Sequence, residues 1–177
     1  MGKLRLSGHV RMPRIAVGMM VLVFPAGVLA ANHHTVPVQV TFVDPITITL
    51  GNALQYGSLD ENLASSESVT VAPNGLVTDP TDRVEGGAQT AASLTVTATP
   101  GKAITILVDS VAPGAGYSLA DFRCNYNAGT DTACDGAGYS QITAASGTLF
   151  VGATLTGDGT AATGAANGSF DVTVTYQ

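Results

Sequence analysis

With 177 residues, 45% of them apolar and 11% charged, the chain can bury a core of its own and is too apolar for a disordered tail. Its formal net charge of −6 is unevenly spread: Lys3, Arg5, Arg11 and Arg14 lie at the start, leaving Arg83, Lys102 and Arg123 against thirteen acidic residues, a balance of −10 beyond the basic stretch. A field of that sign repels nucleic acid and anionic lipid, and neither is expected as a partner.

The basic start runs into an uncharged stretch from Ile15 to Ala31. Its apolar centre, Ile15 to Phe24, falls short of the roughly 20 residues that a bilayer span needs. Pro25 and Gly27 break any helix just ahead of the small residues Ala30 and Ala31, the layout that a signal peptidase cuts. Residues 1–30 therefore read as a secretory leader, cut after Ala30 or Ala31, with Met12 as an alternative start. An uncut N-terminal anchor is the competing reading, and no leader cysteine is present to take a lipid. Residues 31–177 are then one exported domain of the periplasm, the outer surface or the medium. No later apolar stretch is long enough for an integral membrane span.

Beyond the leader the pattern has period two. Val36, Val38, Val40 and Phe42 alternate with Pro37, Gln39 and Thr41, so residues 31–43 include an extended N-terminal strand. Ile46, Ile48 and Leu50 alternate with threonines, as do Leu94, Val96 and Ala98. Ile104, Ile106 and Val108 repeat the rule, and Phe170, Val172, Val174 and Tyr176 close the chain. β-Branched and aromatic residues at this spacing mark half-buried strands. Turn residues separate them, as in Pro73-Asn74-Gly75, Asp79-Pro80-Thr81-Asp82, Pro100-Gly101, Pro113-Gly114-Ala115-Gly116 and Gly157-Asp158-Gly159. No segment carries a capped 3.6-residue period. The expected fold is all-β, an antiparallel sandwich of the immunoglobulin-like kind. Cys124 and Cys134 flank a polar, flexible run, and in an oxidising compartment they are expected to form a local disulfide.

Several of these stretches resemble a bacterial exported family catalogued as domain of unknown function 4402. The resemblance rests on Ile46 to Leu50 followed by Ala53-Leu54-Gln55-Tyr56-Gly57-Ser58-Leu59, on the Val-Gly-x-x-Leu core of Leu149 to Thr156, and on the ending Gly168 to Gln177. It covers roughly Val40 to Gln177, with Tyr56 standing where phenylalanine is commoner. It implies an exported β-sandwich and brings no catalytic residues. A more distant likeness is to chaperone–usher pilins and spore-coat-U-like subunits, which end in a strand with a penultimate aromatic and a glycine about fourteen positions from the end. Tyr176 and Gly164 hold those places here. That likeness implies a pilin-like sandwich lacking one strand, a groove that another copy's N-terminus fills by strand addition, and a periplasmic chaperone as a partner. Val36, Val38, Val40 and Phe42 are the candidate donor residues. The same residues also fit a self-complete sandwich in which the N-terminal strand pairs at home.

The chemistry of catalysis is sparse. Past the leader the histidines are His33 and His34 alone, which removes an internal Ser-His-Asp triad or Cys-His pair. Ser140 lacks the second glycine of a nucleophile elbow. Asp60 and Glu61, or Asp79, Asp82 and Glu85, lie in turn-rich segments where carboxylates are ordinarily solvated. Asn125, Asn127, Asp131 and Asp135 offer oxygen ligands around the cysteines, but without the spacing of a calcium loop. After cleavage the third residue is histidine either way, His33 for a cut after Ala30 and His34 for a cut after Ala31; a free amine, two deprotonated backbone amides and that imidazole suit adventitious Cu(II) or Ni(II) in a square-planar set. The expected function is a non-catalytic envelope or surface subunit, pilin-like and self-assembling. The alternative is a monomeric module binding carbohydrate or protein, with Tyr117, Phe122, Tyr126 and Tyr139 as a contact patch.

Overall fold

A computed structural model describes residues 37–61, 63–144 and 146–177, with backbone alone for residues 140–144. The chain divides after Val40. Of the first unit only residues 37–40 are described; they belong to no strand and are exposed. His33, His34 and Val36, and the leader with its cleavage site, lie outside the described residues.

The second unit, Thr41–Gln177, carries every described strand, and all pairings are antiparallel. The strands are β1 (Thr47–Asn52), β2 (Gln55–Leu59), β3 (Ser68–Val71), β4 (Val77–Thr78), β5 (Val84–Thr90), β6 (Ala92–Thr97), β7 (Lys102–Ala112), β8 (Tyr117–Tyr126), β9 (Thr132–Ala133), β10 (Tyr139–Ala144), β11 (Gly147–Gly157) and β12 (Ser169–Tyr176). A seven-stranded sheet runs β1-β6-β11-β3-β4, with β8 and β9 continuing from the other side of β11. A three-stranded sheet, β10-β7-β12, packs against it, and β2-β5 form a separate ribbon. No helix occurs among the described residues.

The core lies between the two larger sheets. β6 supplies Leu94 and Val96, β11 supplies Leu149 and Val151, and β8 supplies Phe122, Cys124 and Tyr126. Facing them are Ile104, Ile106 and Val108 of β7, with Phe170, Val172, Val174 and Tyr176 of β12 packed alongside. The alternation anticipated for β6, β7 and β12 is thus the inward face. Phe122 and Phe170 meet across the layers with ring centroids 5.1 Å apart.

Cys124 and Cys134 are bonded, with Cα atoms 5.7 Å apart, and both are fully buried. Cys134 also joins the layers through its backbone: its N–H donates to the Phe122 carbonyl (3.1 Å) and its carbonyl accepts from Val108 N–H (2.8 Å). The bridge is a structural staple at the sheet-to-sheet closure.

Three expectations need correcting. Residues 37–46 belong to no strand, although their valines alternate. Ile48 and Leu50 of β1 are 36% and 64% exposed, because β1 lies at a sheet edge and its apolar side chains lack full cover. Phe122 and Tyr126 are each 2% exposed and belong to the core, so they present no contact patch; β8 turns them inward beside Cys124.

Candidate functional site

Two sheet edges among the described residues are left unpaired. Among the described residues β12 pairs only with β7, and β1 only with β6, so each has one free edge. Between the β1–β2 side and β12 lies an open groove of about 1490 Å3. Its apolar lining includes Leu50, Leu54, Leu94, Leu119, Leu155, Phe170 and Val172. Leu94 and Leu155 are already buried, Leu54, Leu119, Phe170 and Val172 are half-buried against the core, and Leu50 is 64% exposed. Asp60, Glu61, Glu85 and Asp171 also border the groove.

Three local devices shape it. The β2–β5 ribbon is fastened by the Tyr56 hydroxyl, which donates to the Ala153 carbonyl at 2.9 Å; burial pushes the Tyr56 phenol well above its usual range. Gly57, next in the Tyr-Gly pair, has φ +78°, a conformation that glycine adopts without a Cβ penalty, and a Cβ there would collide with the Gly86 carbonyl. The connection from β11 to β12, residues 158–168, borders the groove and is made largely of glycine and alanine. Its Thr163 hydroxyl donates to the Glu61 carboxylate. At the far end of β12, Tyr176 acts as a clasp: its hydroxyl accepts from Thr99 N–H (2.7 Å) and donates to the Asp44 carbonyl (2.8 Å). Asp44 N–H in turn donates to Thr99 Oγ1 (2.7 Å).

The residues singled out from the sequence separate clearly. Tyr176 is the clasp, and Gly164 lies in the 158–168 connection at φ +129°, with no heavy atom within 4 Å of where a Cβ would stand. Val38, Val40 and Phe42 are 85%, 66% and 89% exposed. Three such apolar residues in a row, none sheltered, are unusual for a soluble surface. Asp60 and Glu67 are held by Arg83, whose guanidinium donates to both; the Arg83 hydrogen bond holds the Glu67 carboxyl below the usual carboxylate range. Asp79 accepts from Val84 N–H at 2.8 Å. Around the disulfide, the Asn125 amide donates to the Gly129 carbonyl and to Asp131 (both 2.7 Å), and Asn127 accepts from Thr148 N–H. Asn125 thus turns its amide, not its oxygen, toward Asp131. Among the described residues no three His, Cys, Asp or Glu side chains gather around a common point fit for a metal. Ser140 pairs through its backbone with Thr105.

The pilin likeness implied a groove, but the residues that wall this one were not legible in the sequence. Its walls come from strands far apart in the chain, and an unfilled face shows the same alternation as a filled one.

Gly152 of the Val-Gly-x-x-Leu core has a clear steric reason. A Cβ there would collide with the Val71 carbonyl and stand 2.7 and 2.8 Å from backbone atoms of Ala72 and Pro73, so β3 approaches β11 only because this position is bare. The Tyr56-Gly57 pair and the terminal β12 strand likewise hold structural places. No curated protein matches the chain significantly. A family model described as Domain of unknown function (DUF4402) matches residues 46–176, which takes in all twelve described strands. The chain belongs to the DUF4402 family.

Proposed function

We propose that this protein is an exported, non-catalytic subunit of a bacterial envelope or surface, and that copies join by strand addition. The observation that carries the reading is a pairing of opposites within one chain. An open groove with partly apolar walls lies between two free edges, and residues 38–42 carry three exposed apolar side chains at the spacing of a strand. An extended peptide added to a free edge gains main-chain hydrogen bonds, while alternate side chains fill pockets. Both features are costly alone and offset each other between copies. The contact is heterologous, head to tail, and so propagates into a fibre unless it closes as a ring. Residues 35–43 bear no charge, so their entry adds no carboxylate to the four that border the groove.

The test is to express the full precursor, recover surface material and run gels with and without boiling. A heat-sensitive ladder that vanishes when residues 35–43 are deleted supports the reading. A stable monomer from the intact chain sinks it. In that event a second cleft of about 420 Å3, bordered by Asn52, Asn74, Gln89, Asn125 and Phe150, supports the monomeric module, since amides beside an aromatic ring suit a neutral sugar.

A further inference from the structure

We infer that the outer face of the large sheet carries a binding site for a neutral saccharide, built across four strands around the ring of Phe150. The site goes beyond the strand-addition reading and does not depend on it: it shares no bordering residue with the groove and serves single and joined copies alike.

Strand pairing sets out the row. In β6, β11 and β8 the inward residues Leu94, Leu149 and Cys124 alternate with Ser93, Phe150 and Asn125, which therefore point away from the core. Phe150 stands opposite Ser93 on one side and Asn125 on the other, and Ser93 stands opposite Asn52 of β1. The four form one row across the sheet, about 14 Å long at roughly 4.8 Å per strand. Two pyranose rings fit along it.

Asn52 joins this row through a bulge. Plain alternation would put it on the face of Ile48 and Leu50, but the register against β6 slips between Leu50 and Asn52. Gly51 is the extra residue, and a Cβ there would stand 2.8 Å from the Ser93 hydroxyl. The bulge re-aims one amide onto the outer face, a use that bulges commonly serve beside functional sites.

Raised borders turn the row into the cleft of about 420 Å3, within the roughly 300–1,000 Å3 of small-ligand sites. The Pro73-Asn74-Gly75 turn, Gln89 of β5 and Ala128 in the turn after β8 stand around it. Ala128 holds φ +57°, which glycine adopts more readily, so its methyl is kept at the rim against backbone preference.

The chemistry of the border selects the ligand. It bears no Lys, Arg, Asp or Glu, on a chain whose balance past the leader is −10. A phosphate, sulfate or uronate finds no cation there and meets a repelling field, and an ammonium finds no carboxylate. What the border supplies is amides, which donate and accept as hydroxyls do, beside one half-buried aromatic ring. Asn125 has its NH2 committed to Gly129 and Asp131, while its Oδ1 is buried and accepts no hydrogen bond. Such an acceptor is satisfied by a donor from outside the chain, and a sugar hydroxyl is one. A pyranose offers its C–H face to Phe150 and its hydroxyls to Asn52, Gln89 and Asn125. With one site per copy, joined copies would hold a polysaccharide at many points.

Affinity electrophoresis of the mature exported chain tests this, in native gels containing a neutral β-glucan, galactan or mannan, with polygalacturonate as the acidic control. Wild-type protein is expected to be slowed by at least one neutral polysaccharide and not by polygalacturonate. Phe150→Ala is expected to raise the dissociation constant about tenfold, the loss of one aromatic contact. Asn52→Ala, at an exposed position, is expected to raise it several-fold with an unchanged melting temperature, and carries the test should Phe150→Ala fail to fold. Unretarded migration in all three neutral gels overturns the inference. So does retardation that neither variant weakens, which would put the sugar elsewhere, and so does equal retardation by polygalacturonate. Single copies and assembled material are run separately, so a failure of strand addition is told apart from a failure of the site.

Discussion

Opening the Cys124–Cys134 bridge gives a calibrated test of how the two layers are held. The bonded residues are ten apart in sequence, and loop-closure entropy for a ring of that size corresponds to about 2.7 kcal/mol of stabilisation. Reduction of the unfolded chain followed by refolding with thiols intact should cost that amount. Replacing both cysteines by alanine removes two fully buried sulfur atoms as well, adding roughly 1 kcal/mol each. The sum, about 4 to 5 kcal/mol, falls below the 5–15 kcal/mol or so typical of a domain, so both forms should still fold at 25 °C. Urea titration of oxidised, reduced and doubly substituted protein separates the contributions. The slope against urea should also rise when the link is removed, because the unlinked denatured chain exposes more surface. The melting temperature of the alanine variant should fall by roughly 10–20 °C. Reduced protein within about 0.5 kcal/mol of oxidised protein would refute the reasoning, since that is the scatter of a neutral surface change.

Other outcomes follow from single positions. Phe122→Ala should cost about 3–5 kcal/mol in the same titration, as expected of a core aromatic, whereas a residue in a surface contact patch would cost far less. Gly152→Ala should lower the melting temperature clearly, by the equivalent of about 1–3 kcal/mol, because β3 backbone must retreat from the new methyl. Glu67 has a folded pKa lowered by the Arg83 hydrogen bond, so its contribution is complete above the usual carboxylate range and is lost as pH falls through the folded value. Glu67→Gln should therefore differ from wild type in stability at neutral pH and converge with it in acid, as followed by thermal melts across pH. Copper titration of the processed protein should give a visible d–d band that disappears when His33 and His34 are both replaced; an unchanged spectrum on titration removes the site.

Much of the fold was legible because alternation survives wherever a strand is regular. β6, β7 and β12 show this, and their apolar residues are the ones that reach the core. β8 was illegible for a definite reason. Leu119 and Phe122 both turn towards the interior although three positions separate them, because an extra residue interrupts the ladder to β11 between Gly152 and Thr154, with Asp121 at φ +51°. A bulge inverts the parity on which the reading of a strand depends, so Phe122 and Tyr126 looked free for contact when they were core. β5 was hidden by its own composition, Val-Glu-Gly-Gly-Ala-Gln-Thr, which has no apolar alternation to detect. The N-terminal segment shows a different limit. Alternating valines state that one face seeks burial, and they do not state which molecule supplies it. The cysteines were legible because few residue types leave so little choice in an oxidising compartment.

The Tyr176 clasp decides how a pull on residues 38–43 would be borne. A load entering at Asp44 meets no slack before β1, which begins three residues later at Thr47. Edge strand β1 alone would peel from β6 one hydrogen bond at a time, like tape lifted from its end. Through Asp44, however, tension reaches Thr99 at the turn after β6 and Tyr176 at the end of β12 together. The load is then shared between the two layers, through β6 in one sheet and β12 in the other. A single phenolic oxygen thus turns a peeling joint into a load-sharing one.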